Sequence, residues 1–108
     1  MERDHIREMT NIIEDYFNIK IDLDGFNYSR FVTHMHYLIK RGKKNELIQS
    51  DNRILYESLK NSYEETYECS QLVKKYLENA LECQLSEEEC IYLMLHINRL
   101  CAREDCYQ

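Results

Sequence analysis

From Ile6 to Cys101 apolar side chains recur at steps of three and four residues, and no proline interrupts them. Proline lacks an amide hydrogen and clashes with the preceding helical turn, so its absence leaves each apolar stripe free to run as an amphipathic helix. Only two glycines, Gly25 and Gly42, are available for tight turns. These features predict an all-α chain and exclude collagen-like, proline-rich and turn-dense β architectures. At 108 residues the chain is expected to form a single domain, 1–108, around one modest core.

The stripes divide the chain into five helices joined by short polar segments. The first spans about Arg3 to Phe17, with Asp4 as its N-cap and Ile6, Met9, Ile13, Tyr16 and Phe17 facing inward. Ile19 to Asp24 alternates apolar and polar residues as a half-buried strand does, but no second strand is in sight. It is therefore expected to be an extended connector whose Ile19, Ile21 and Leu23 fill a helix seam. The second helix, about Phe26 to Arg41, carries Phe31, Met35, Leu38 and Ile39 on one stripe. Gly42 suits a left-handed C-terminal position, and Lys40 and Arg41 suit the negative end of the helix dipole.

A third helix, about Asn52 to Asn61, is expected to be capped by Ser50 or Asp51 and to bury Leu55, Leu59 and Tyr63. The fourth, about Glu64 to Leu81, has the clearest stripe, in Cys69, Leu72, Val73, Tyr76, Leu77 and Ala80. The fifth starts at Glu87, because Ser86 and Glu89 form a capping box: the serine hydroxyl accepts from the Glu89 amide while the Glu89 carboxylate reaches back. Its run from Ile91 to Cys101 is too apolar for an exposed outer face and predicts a central position or a subunit interface.

Fourteen Lys and Arg against twenty Asp and Glu leave a formal net charge of -6, which opposes broad binding to a phosphate backbone. No direct nucleic-acid contact is expected. No run approaches the roughly 18 apolar residues that cross a bilayer, and Met1-Glu2-Arg3-Asp4-His5 does not read as an export signal. A soluble, cytoplasmic protein without a membrane partner is expected. Five cysteines, Cys69, Cys83, Cys90, Cys101 and Cys106, match neither a disulfide framework nor a zinc spacing. They read as reduced thiols, with Cys69, Cys90 and Cys101 filling helix-packing positions. Phosphate-cradling, hydrolase and zinc-protease motifs are missing, so no enzyme, cofactor or metal centre is expected. The nine tyrosines, spread over all the helices, read as packing at seams.

Histidine titrates near neutrality and can take a phosphoryl group, so the four histidines need separate weighing. His34 and His36 are two residues apart on a helix, about 200° around it, and cannot act together on one ion. His34 lies beside the apolar stripe with Arg30 one turn before it, and His96 sits similarly, with Tyr92 one turn before and Arg99 three residues after. A neighbouring guanidinium disfavours the imidazolium, keeps a neutral nucleophile, and can afterwards pair with a bound phosphate. By spacing alone each histidine reads more readily as an ordinary packed side chain. His5 falls in a first turn that can fray, and His36 reads as a solvent-side residue. Lys40-Arg41-Gly42-Lys43-Lys44 is the one dense basic cluster and reads first as a solubilising helix end, then as a docking surface for an acidic or phosphorylated partner, and last as an RNA contact.

Asn27-Tyr28-Ser29-Arg30-Phe31-Val32-Thr33-His34 and, later, Glu89-Cys90-Ile91-Tyr92-Leu93-Met94-Leu95-His96-Ile97-Asn98-Arg99 closely resemble a PTS regulation domain (PRD). This is the regulatory module of the BglG/SacY family of transcriptional antiterminators and of related activators. The resemblance covers nearly the whole chain, and the Arg30 to His34 block, with its lead-in Tyr16 to Ile21, is most similar to the second of two tandem PRDs. It implies a compact five-helix bundle that forms a homodimer, with His34 and His96 accepting phosphoryl groups from the sugar phosphotransferase system. The implied donor is HPr for the second copy, with a sugar-specific enzyme IIB domain acting more often on the first. Arg30 and Arg99 would then support the phosphate. Full-length regulators of this family carry an N-terminal nucleic-acid-binding domain and a partner PRD, so a fragment or a stand-alone PRD is expected. The alternative is a stand-alone helical dimerisation or interaction module without phosphotransfer.

Overall fold

The computed structural model describes residues 2–49, 52–101 and 106–107. Five helices carry the chain: α1 (Glu2–Phe17), α2 (Phe26–Lys43), α3 (Arg53–Ser62), α4 (Glu64–Leu81) and α5 (Glu87–Cys101). The architecture is all-α, as the periodicity and the absence of proline predict. Each helix buries one stripe and exposes the other. Ile6, Met9 and Ile13 of α1, Met35, Leu38 and Ile39 of α2, and Val73 and Leu77 of α4 close around Leu93, Ile97 and Leu100 of α5. Each such large side chain removed from water contributes roughly 1.5–3 kcal/mol. α4 packs against all four other helices, and α5, the most apolar helix, is enclosed by α2, α3 and α4.

Helix ends follow the backbone rather than the simplest cap rules. α1 begins at Glu2, so Asp4 lies inside the helix and does not cap it. It ends at Asn18, whose φ of 56° lets the Ile19 amide reach the Glu14 carbonyl at 3.1 Å. α2 runs on to Lys43, past Gly42, and the left-handed position is taken by Asn45 at φ 56°. The Glu46 amide then bonds the Arg41 carbonyl at 2.8 Å. Gly42 serves close approach instead: a Cβ there would lie 2.8 Å from Leu81 Cδ1 and 3.5 Å from Cys83 Sγ. Asn52 precedes α3, and the expected caps Ser50 and Asp51 lie outside the described residues.

The connector after α1 does find a partner. Lys20–Ile21 (β1) pairs antiparallel with Cys106–Tyr107 (β2), Lys20 opposite Tyr107 and Ile21 opposite Cys106. The alternation from Ile19 to Asp24 marks the first segment as strand-like, but a two-residue ladder leaves no periodic trace in the second, so the sequence cannot announce the pairing. Ile21 is buried and Ile19 packs against the core, but Leu23 is 53% exposed and fills no seam.

Two stripes are rotated from their expected setting. α3 buries Tyr56 while Leu55 and Tyr63 are exposed and Leu59 is only partly covered. α4 buries Thr66, Cys69, Ser70, Val73 and Leu77, leaving Leu72 and Ala80 outside. Thr66 and Ser70 share that buried face, and Ser70 satisfies its hydroxyl by donating to the Tyr67 carbonyl at 2.7 Å. Cys69 and Cys90 are buried as free thiols, and Cys101 packs against the core. Among the described residues no helix is long and apolar enough to cross a membrane.

Candidate functional site

α2 and α5 lie side by side, and their contact brings together two imidazoles distant in the chain. The His34 and His96 rings stack with centroids 4.1 Å apart and planes 23° from parallel. Both are partly buried. Tyr92, one turn before His96, packs edge-on against the His96 ring at 4.6 Å and against His34 at 6.0 Å. Its hydroxyl donates to the His34 main-chain carbonyl at 3.1 Å and stands 3.1 Å from His34 Nδ1.

Arg30 and Arg99 are exposed, and both act on the rings. Burial pushes the His96 imidazole down to about 4, helped by the His34 ring and then by Arg99 and Arg30. Burial also lowers His34, with Arg30 and then Arg99 adding to it. At neutral pH the site is therefore two uncharged imidazoles with lone pairs available, bordered by two guanidinium groups. That combination suits a nucleophile that gains negative charge when it reacts, because the product anion meets fixed cations.

Behind Tyr92 stands a buried ion pair that reading the sequence does not anticipate. The Glu89 carboxylate is fully buried and accepts from Arg41 Nε and Nη2 at 2.7 Å each, and from the Ile48 amide at 2.9 Å. The Arg41 guanidinium lies over the Tyr92 ring, 4.8 Å from its centroid. Only half of the expected capping box forms: the Glu89 amide donates to the Ser86 hydroxyl at 3.1 Å, but the carboxylate turns inward to Arg41. Arg41 likewise leaves the expected basic patch, while Lys40, Lys43 and Lys44 remain exposed. A signal for this existed. Glu89 shares a helical face with Leu93, Ile97 and Leu100, so the buried stripe itself demands a cationic partner for it.

The other histidines stay apart from the pair. His36 is partly buried, not solvent-side, and borders a groove of about 540 Å³ between α1, β1 and α2, together with Arg7, Thr10, Tyr28 and Val32. His5 stands in the first turns of α1 with its Nδ1 2.9 Å from the Tyr76 hydroxyl. Among the described residues no group of three or more His, Cys, Asp or Glu is placed to hold a metal ion.

Comparison with known proteins points the same way as this geometry. The model of the PRD domain matches residues 7–100. The chain is similar to the transcription antiterminator LicT of Bacillus subtilis, 30% identical over 95 residues, which is 88% of this chain and 34% of that protein. It is 32% identical over 93 residues to the PtsGHI operon antiterminator of Bacillus subtilis, covering 86% of this chain and 33% of the other. With the GlcA/glcB genes antiterminator of Staphylococcus carnosus it shares 36% identity over 87 residues, 81% of this chain and 30% of that protein. The chain thus spans about a third of the length of the curated relatives it matches.

Proposed function

The chain belongs to the PRD family, and from that premise we propose that it is the regulatory domain of a sugar-responsive transcriptional antiterminator or regulator, phosphorylated on His34 and His96. The donor in this reading is a phosphohistidine of the sugar phosphotransferase system, on HPr or on a sugar-specific enzyme IIB domain, and the setting is the cytoplasm. The observation that carries it is the 4.1 Å stack of two neutral imidazoles delivered by separate helices beside Arg30 and Arg99.

A phosphoryl group adds about 1.5 to 2 negative charges by analogy with other protein phosphates. A dianion added at the edge of one of two stacked rings favours a repacked α2–α5 seam, in which Arg30 and Arg99 set the new arrangement by pairing with the phosphate. In this reading the repacking biases association of two copies of the domain, and the phosphoryl group on nitrogen remains transferable, so the response is reversible. The domain receives the signal and turns over no substrate.

Incubation with phosphoenolpyruvate, enzyme I and HPr, and in a second arm with a phosphorylated enzyme IIB domain, is expected to place acid-labile, alkali-stable label on the chain. The His34→Ala/His96→Ala double variant is expected to take none. Absence of label in both arms, or label undiminished in the double variant, overturns the proposal.

A further inference from the structure

The hydroxyl of Tyr92 touches His34 twice, at the main-chain carbonyl and at Nδ1, each at 3.1 Å. A phenol carries a single proton, and burial holds the Tyr92 hydroxyl above its ordinary range, so it keeps that proton at neutral pH. A carbonyl oxygen can only accept. If the proton goes to the carbonyl, the second contact is a full hydrogen bond only when Nδ1 carries hydrogen and donates to the phenolic oxygen. The opposite tautomer, with Nδ1 bare, leaves two acceptors competing for one proton. Arg41, whose guanidinium carbon lies 4.8 Å from the centroid of the Tyr92 ring, also donates to the phenolic oxygen; it offers no acceptor for the Tyr92 proton and leaves the oxygen one further lone pair for Nδ1–H.

We propose that Tyr92 is a positioning residue that holds His34 in its Nδ1–H form and thereby makes Nε2 the atom that accepts the phosphoryl group. This inference rests on the phosphoacceptor reading of His34. The Nε2 lone pair forms the new N–P bond while the N–P bond of the donor phosphohistidine breaks and its electron pair returns to the donor ring. The positive charge that arises on the His34 ring is carried at Nδ1–H, where the phenolic oxygen accepts from it, until that proton leaves to solvent. Tyr92 never meets the phosphorus. Its location ties the acceptor to the core: the ring that orients His34 is packed beneath the Arg41 guanidinium, which the buried Glu89 carboxylate holds by two hydrogen bonds of 2.7 Å.

The test reads the unphosphorylated protein first. Long-range proton–nitrogen correlation spectra of the wild-type chain near neutral pH are expected to show hydrogen on Nδ1 of His34 and none on Nε2. Tyr92→Phe keeps the ring that packs against both imidazoles and removes only the hydroxyl. It is expected to move His34 toward the Nε2–H form and to slow site-resolved phosphoryl labelling of His34 by roughly three- to tenfold, the population change that loss of one ordinary hydrogen bond produces. A wild-type spectrum with hydrogen on Nε2, or a tautomer unchanged by Tyr92→Phe, overturns the positioning role whether or not the chain is labelled. The expected tautomer in a chain that no donor labels overturns the phosphoacceptor reading instead. The wild-type spectrum stands as a test even if the variant does not fold.

Discussion

Glu89 has no exposed surface, and its carboxylate is held by two hydrogen bonds from Arg41 and one from the Ile48 amide. Glu89→Ala removes all three and strands a cation. The expected loss of stability is about 3 kcal/mol, the lower end of the range for breaking a buried pair, because Arg41 retains 21% side-chain exposure and water can partly solvate it. Urea unfolding checks this. The histidine pair contributes a pH dependence of definite sign. His96 titrates at 6.5 in an unfolded chain and at about 4 in the fold, so the unfolded state binds the proton more readily as pH falls through that interval. Stability is expected to be level above pH 6.5, to decline between 6.5 and about 4, and to decline less in His96→Gln. Urea midpoints measured across that range read it directly.

Among the elements, α2 shows how one residue type answers two needs. Gly42 fits the left-handed cap rule by composition, yet it sits inside the helix because Leu81 and Cys83 come too near for a larger side chain. Gly42→Leu is expected to destabilise by roughly 1–3 kcal/mol through overpacking. Gly42→Ala is expected to stay within about 1 kcal/mol of wild type, since the Leu81 methyl can rotate away while the helix gains the propensity of alanine. Thermal unfolding separates the two outcomes. α3 makes the complementary point. Ile54 is 88% exposed, so Ile54→Glu is expected to change stability by no more than about 0.5 kcal/mol in urea unfolding, although the residue is apolar. In a helix as short as α3, one rotation of the stripe separates Tyr56 from Leu55, and periodicity alone fixes the existence of the face better than its direction.

At the scale of the whole molecule, the proposed regulation makes self-association the readout. Sedimentation equilibrium is expected to give different dimer dissociation constants for the unmodified and phosphorylated chain, and identical values overturn the coupling of phosphorylation to dimerisation. The all-α class, five helices in order and the buried character of α5 were legible in the sequence, because apolar spacing and the lack of proline act locally along the chain. The two blocks ending in His34 and starting at Glu89 also marked the candidate site, with Arg30 and Arg99 beside it. What spacing left open was decided only when α2 met α5. Stacking of His34 on His96, the two contacts of Tyr92 with His34, and the turn of Glu89 from its cap to Arg41 are all contacts between helices. So is the pairing of β1 with β2, and so is the close approach at Gly42. A residue's own neighbours in sequence set whether it lies on a helix and near which face. Which atom it meets across the seam depends on the offset and rotation of a second helix, and those are set by packing the entire core at once.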